Sequence, residues 1–159
     1  MQSVLFVCLG NICRSPLAQG IFEKQTADLY LSAFYDADSA GTSAWHQGEK
    51  PHSGSLAVAR RHGVSIEKQK SRPVHAKDAE LFDYILAMDT DNRNNLLTEF
   101  HFPEEKVFLM RDFHANGKKG LSVPDPWGHG DDAFENVYQI LDESMRGFIA
   151  FLQKNKPQP

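Results

Sequence analysis

Two residues, Cys8 and Arg14, define the chemistry to look for. They stand in the run Val4-Leu5-Phe6-Val7-Cys8-Leu9-Gly10-Asn11-Ile12-Cys13-Arg14-Ser15-Pro16. A cysteine attacks as its thiolate, and helix N-termini and nearby cations favour that form, lowering the pKa from about 8.5 to about 3.5–7.5. A guanidinium offers a planar fork that matches two phosphate oxygens. Between the two, Gly10 and Asn11 are the residue types that most easily take φ > 0, so the backbone can curl until several N–H groups point at one spot. Ser15-Pro16 reads as a helix start, with serine at the N-cap and proline at the first helical position. Leu9, Gly10, Asn11, Ile12, Cys13, Arg14 and Ser15 would then form an anion cradle, helped by the positive end of the helix dipole. A thiolate under such a cradle is aimed at phosphorus.

A second group is needed if a bond is to break. Asp125 lies in Val123-Pro124-Asp125-Pro126-Trp127-Gly128, where two prolines stiffen the backbone around one carboxyl group. It reads either as an ordinary turn aspartate or as a general acid. Asp131 and Asp132 are rivals, but they suit the positive end of the last helix. Cys13 reads equally as a small core residue or as a redox partner of Cys8. The Ser15 hydroxyl both accepts and donates, so capping leaves it able to reach the thiolate. Trp45 and Trp127 sit in polar stretches and suit a partly exposed aromatic wall. The seven histidines show no metal spacing and are assigned no role; no zinc site is expected.

These side chains need elements to hold them. Val4 to Cys8 is an apolar run typical of a buried strand, and Leu17, Ile21 and Phe22 give the next segment an apolar helical face. A second strand is expected from about Ala33 to Ser39, followed by a loop over Ala40–Ala44. A short helix around Leu56 should end at Gly63. Phe82–Met88 and Lys106–Met110 read as the third and fourth strands, with an intervening helix capped by Asp89, Thr90 or Asp91. The irregular stretch from Arg111 to Gly130 is long enough to be functional. Phe134, Val137, Tyr138, Leu141, Met145, Phe148, Ile149 and Leu152 recur at helical spacing. The expectation is one domain over 1–154 and a polar tail over 155–159 that frays. Alternating strands and helices imply a mostly parallel sheet covered on both faces, with ligands at the carboxyl ends of the strands. The Cys8 loop and the Asp125 loop leave that same edge.

Composition narrows the class. The 159 residues suit one domain with a real core. A formal net charge of -4 gives no reason to expect nucleic acid or an anionic membrane as partner. Two cysteines do not make a disulfide scaffold and suit a reducing compartment. No signal peptide is recognised and no apolar run approaches the roughly 20 residues of a membrane span, so a cytoplasmic location is expected.

With these anchors in place, VCLGNICRSP (7–16), SAGTSAW (39–45), FDYILAMD (82–89) and DPWG (125–128), the chain resembles the low-molecular-weight protein tyrosine phosphatases along almost its whole length. The resemblance implies a three-layer α/β/α fold with a four-stranded parallel sheet and a phosphate-binding loop after the first strand. It implies no metal or cofactor. Cys8 would attack phosphorus to give a phosphocysteine, Arg14 and the loop N–H groups would bind the oxyanions, and Asp125 would protonate the leaving oxygen and then activate water. Asn11, Ser15 and Ser39 match the residues that hold the loop in shape. Ile12, Trp45 and Trp127 match the walls of an aryl slot. Two departures stand out: Gln69 replaces a histidine common behind the loop, and Gly128 follows Trp127 where many relatives have a second aromatic. The expected partners are tyrosine-phosphorylated proteins and thiol reductants, with the chain a monomer or weak dimer. An arsenate reductase of this fold would need further relay cysteines, and a protein-arginine phosphatase would carry threonine in place of Ile12. A non-catalytic phosphate-binding regulator would lack the nucleophile, the arginine or the acid.

Overall fold

The structure, a computed structural model, describes residues 1–156. Its centre is β1 (Gln2–Cys8), flanked by β2 (Tyr35–Gly41) and β3 (Tyr84–Ala87), with β4 (Val107–Leu109) beyond β3. All neighbours pair in parallel, in the order β2-β1-β3-β4. Side chains alternate along β1. Val4, Phe6 and Cys8 enter one core with residues of α1 (Arg14–Asp28), α2 (Ser53–Arg61) and α5 (Asp131–Lys154). Leu5 and Val7 enter another with Leu96 of α4 (Thr90–Thr98), and Ala79 of α3 (Asp78–Leu81) packs against its edge. A central parallel strand buried on both faces therefore gives the three layers. Burying each large side chain contributes about 1.5–3 kcal/mol, so the five buried residues Val4–Cys8 anchor the fold and the loop that leaves it. Among the described residues no helix is long and apolar enough to cross a membrane.

Several boundaries differ from the expected ones. Helix α1 begins at Arg14 with Cys13 at its N-cap and no side-chain cap, so Ser15 is not the cap. Its hydroxyl is drawn to Cys8 and Asn11 instead. Pro16 still falls in the first turn, where a missing N–H costs nothing. Strand β2 continues through Ala40 and Gly41 because β1 offers partners at Val7 and Cys8. Gly41 is required there: a Cβ would lie 2.8 Å from the Leu9 carbonyl oxygen. Phe82 terminates α3, a helix the sequence reading did not anticipate, which shortens β3. Strand β4 gives way at Met110 to a 3-10 turn, Met110–Phe113.

That turn fixes the start of the Asp125 loop. Phe113 packs against Phe148 and Phe151 of α5, with ring centroids 5.0 and 5.1 Å apart. The far end is pinned at the fully buried Val123, whose N–H donates to the Met88 carbonyl. At the carboxyl terminus Asn155 caps α5 by donating to Phe151; the rest of the expected tail, 157–159, lies outside the described residues.

Candidate active site

The loop between β1 and α1 is shaped from outside. Its carbonyls are held by donors from other segments: Thr42 N–H on Cys8, Ser43 N–H on Leu9, Ser71 Oγ on Gly10, His52 N–H on Ile12 and Ser55 Oγ on Cys13. With the carbonyls turned outward, the amides face inward. Those of Gly10, Ile12 and Cys13 find no acceptor among the described residues. Asn11 takes the left-handed conformation, φ 56°, that the curl requires. Its side chain is fully used: Nδ2 donates to Ser15 Oγ at 2.8 Å and Ser39 Oγ at 2.9 Å, and Oδ1 accepts from the Arg72 N–H at 2.9 Å.

Cys8 lies at the floor. Its Sγ accepts the Asn11 N–H at 3.2 Å and lies 3.0 Å from Ser15 Oγ. Asn11 also donates to Ser15 Oγ, so that hydroxyl bridges the asparagine side chain and the sulfur. Burial first, then the charges of Cys8 and Asp125, push the Cys13 thiol up to about 12. It therefore stays protonated at neutral pH.

Arg14 is only 3% exposed. Nη1 donates to Asp89 Oδ2 at 2.8 Å and to the Val123 carbonyl at 2.9 Å. Burial disfavours its charge, but Cys8, Asp89 and Asp125 more than offset this, and its pKa is raised. Nε is buried with no hydrogen-bond partner among the described residues. A buried guanidinium N–H left unbonded is costly, so the fork is set for an acceptor that lies within the cavity. Asp125 Oδ2 is 3.9 Å from Arg14 Nη2 on the outer side and half exposed, while Oδ1 accepts the Trp127 N–H.

Cys8, Leu9, Gly10, Ile12, Cys13, Arg14, Trp45, Asp125 and Trp127 line one cavity of about 230 Å³. Asn11, Ser15 and Ser39 lie behind the loop. Trp45 and Trp127 stand 75% and 60% exposed, as walls and not as core. Gly128 is left-handed, and a Cβ built there would meet nothing within 4 Å among the described residues; the residue after Trp127 brings no second aromatic to that side. Gln69 spans the loop's rear, donating to the Pro16 carbonyl at 3.0 Å and accepting from Ser39 Oγ at a long 3.5 Å.

Two features escaped the sequence reading: His46 in the cavity wall and the tie from Asp89 to Arg14 behind it. His46 lines the cavity, against Gly10, and bonds Glu49 through Nδ1. No motif marked it. Asp89 holds Arg14 with Oδ2 while its Oδ1 caps α4 by accepting from Asn92 N–H. Its position just beyond the carboxyl end of β3 was a readable signal.

A thiol at the floor, a buried guanidinium and loop amides with no acceptor among the described residues make this a site suited to an oxyanion. The chain belongs to the family of low molecular weight phosphotyrosine protein phosphatases, whose model matches residues 3–158. It is 39% identical over 156 residues to the low molecular weight protein-tyrosine-phosphatase YfkJ of Bacillus subtilis, covering 98% of this chain and 99% of that one. To the low molecular weight phosphotyrosine protein phosphatase of Homo sapiens it is 36% identical over 151 residues, covering 93% and 94%. The crystal structure of a protein tyrosine phosphatase from Entamoeba histolytica superposes with a TM-score of 0.90 at 37% identity, covering 99% of this chain and 100% of that one. The crystal structure of YfkJ gives 0.91, covering 99% and 98%. The protein is a phosphatase of this family.

Proposed function

We propose that the protein hydrolyses phosphotyrosine in proteins, and small aryl phosphates, through a phosphocysteine. The reading rests on one observation: unpartnered donors, Arg14 Nε and the Gly10, Ile12 and Cys13 amides, belong to the loop around Cys8. A phosphoryl dianion would satisfy them, and they would hold its oxygens more tightly as charge builds in the transition state. In the first step Cys8 Sγ bonds to phosphorus as the P–O(aryl) bond breaks, and Asp125 gives its proton to the leaving oxygen. In the second, water attacks phosphorus, the S–P bond breaks and Asp125 takes the water's proton. Cys8 returns as thiolate and phosphate leaves.

Asp89 would keep Arg14 charged and oriented, and Asn11, Ser15 and Ser39 would keep the loop curled. Ile12, Trp45 and Trp127 would grip the flat ring; a phosphoserine side chain is too short to bring its phosphorus to Cys8. Cys13 is the proposed redox partner of Cys8, and thiol reductants would restore the pair. The proposed unit is a single domain, cytoplasmic, acting on tyrosine-phosphorylated proteins as a monomer or weak dimer.

Turnover of p-nitrophenyl phosphate in EDTA, followed by kcat/KM for matched phosphotyrosine, phosphoserine and phosphoarginine peptides, tests the reading. Phosphotyrosine is expected to win by a wide margin. Equal values for phosphotyrosine and phosphoserine would overturn the aryl slot, and preference for phosphoarginine would reassign the substrate.

A further inference from the structure

We propose that Arg72 is a positioning residue that sets the phosphate loop and the Trp45 wall together, through the two-residue strap Ser71-Arg72. The inference deepens the function proposed above and rests on it. On one side the strap meets the phosphate loop: Ser71 Oγ donates to the Gly10 carbonyl at 3.0 Å, and the Arg72 N–H donates to Asn11 Oδ1 at 2.9 Å. On the other it meets the turn that carries the slot wall. Ser71 N–H donates to the Glu49 carbonyl and its carbonyl accepts from Gly48 N–H, both at 2.8 Å. That turn is itself closed by bonds from Gln47 to Ala44 and from Glu49 to His46. One short segment therefore fixes the strained Asn11 and the Trp45–His46 wall at once.

The strap brings no large apolar side chain to the core, and Pro73 after it has no N–H. Backbone bonds join it to Gly41 at the end of β2. The rest of its anchorage is the Arg72 guanidinium. Nε donates to Asp38 Oδ2 on β2 at 3.0 Å, and Nη1 and Nη2 donate to the two oxygens of Asp78 on α3 at 3.0 and 3.2 Å. Asp78 is 3% exposed and also accepts the His75 N–H. A planar fork can bridge two carboxylates and hold its own backbone still, whereas a lysine ammonium is a point charge on a flexible stem. Burial opposes the Arg72 charge, yet the Asp78 and Asp38 contacts outweigh it and its pKa is raised.

The competing account is that Arg72 only ties α3 to β2. The two accounts separate in the folded protein. Arg72→Lys, Asp38→Asn and Ser71→Ala are compared with the parent by kcat and KM for p-nitrophenyl phosphate, by calorimetric Kd for inorganic phosphate, and by Tm. Asp38→Asn leaves the Asp78 bridge intact and so keeps the fold if Arg72→Lys does not. In variants still folded at assay temperature, phosphate affinity and kcat are expected to fall about tenfold or more, since small misplacements of a catalytic frame are costly. Ser71→Ala should show part of the same loss with the guanidinium untouched. A lowered Tm with parental kcat and phosphate Kd would overturn the proposal and leave Arg72 a structural tie. Failure of the parent protein to turn over substrate would instead strike at the proposed function, while the phosphate affinities would still test the strap.

Discussion

At the scale of single residues the proposed nucleophile Cys8 and the proposed acid Asp125 have distinct experimental signatures. Cys8 sulfur accepts the Asn11 amide and lies within hydrogen-bond reach of the Ser15 hydroxyl. A serine hydroxyl there would be a far weaker nucleophile than the cysteine sulfur. Cys8→Ser is expected to keep calorimetric phosphate binding and lose essentially all turnover; an acid quench should trap a phosphoenzyme only in the parent. Tyrosinate leaves poorly, since its conjugate acid has a pKa of about 10. Asp125→Asn keeps the shape and removes the proton, so kcat for phosphotyrosine should fall about 10²–10⁴-fold. The loss should shrink for phenols that are more acidic, steepening the plot of log kcat against leaving-group pKa. An unchanged slope in Asp125→Asn would mean that another carboxyl group, such as Asp131 or Asp132, is the acid.

At the scale of elements, α5 carries the loop that carries Asp125. Gly147 lets the Met110–Phe113 turn come close: a Cβ there would lie 1.8 Å from the Phe113 carbonyl oxygen. Gly147→Ala must push that backbone away, at about 1–3 kcal/mol of overpacking. For a chain of this size that is roughly 3–10 °C in Tm. Because Phe113 starts the Asp125 loop, kcat should fall as well, and a variant with parental Tm and kcat would refute the coupling. Helix α5 is also tied to α2. Glu135 accepts from Arg61 and His62, and the His62 ring stacks on Tyr138 with centroids 3.9 Å apart. The Gln139 bond first, then His62, lowers the Glu135 pKa below its ordinary 4.5. A depressed carboxyl pKa adds stability above the unfolded value and loses it as pH falls through the folded one. Glu135 is over a third exposed, so solvent screening keeps the term within about 1 kcal/mol. Thermal melts of Glu135→Gln should therefore fall about 1–3 °C below the parent at pH 7 and converge with it in acid.

The molecule as a whole is held by elements that share partners. Tyr84 of β3, Phe108 of β4, Phe113 and the α5 rings Phe148 and Phe151 form one aromatic cluster. The same Phe148 reaches Phe22 of α1. With few seams to separate, unfolding should be one cooperative transition, so far- and near-UV circular dichroism are expected to melt together. Two separated transitions would show that the part beyond β3 folds as its own unit. Both cores meet at β1, which ends at Cys8; global packing therefore also fixes the position of that sulfur.

The sequence by itself determined the layers and marked the candidate reacting groups. The apolar run Val4–Cys8 and the helical spacing from Phe134 to Leu152 are local patterns, legible without a fold. Cys8, Arg14 and the Gly-Asn curl sit within one loop, and Asp125 is marked by its flanking prolines. The supports of those groups were decided only by tertiary structure. Asn11 meets Ser39 across 28 residues and Arg72 across 61, and Arg14 meets Asp89 across 75. Ser15 was misread as a cap for the same reason, because capping is judged from neighbours in sequence while its hydroxyl answers to a sulfur seven residues back. His46 and the Arg72 strap carry no motif. A hydrogen bond needs its atoms within about 3 Å and aligned, and across long separations that depends on strand register and layer packing, which no short stretch of sequence contains.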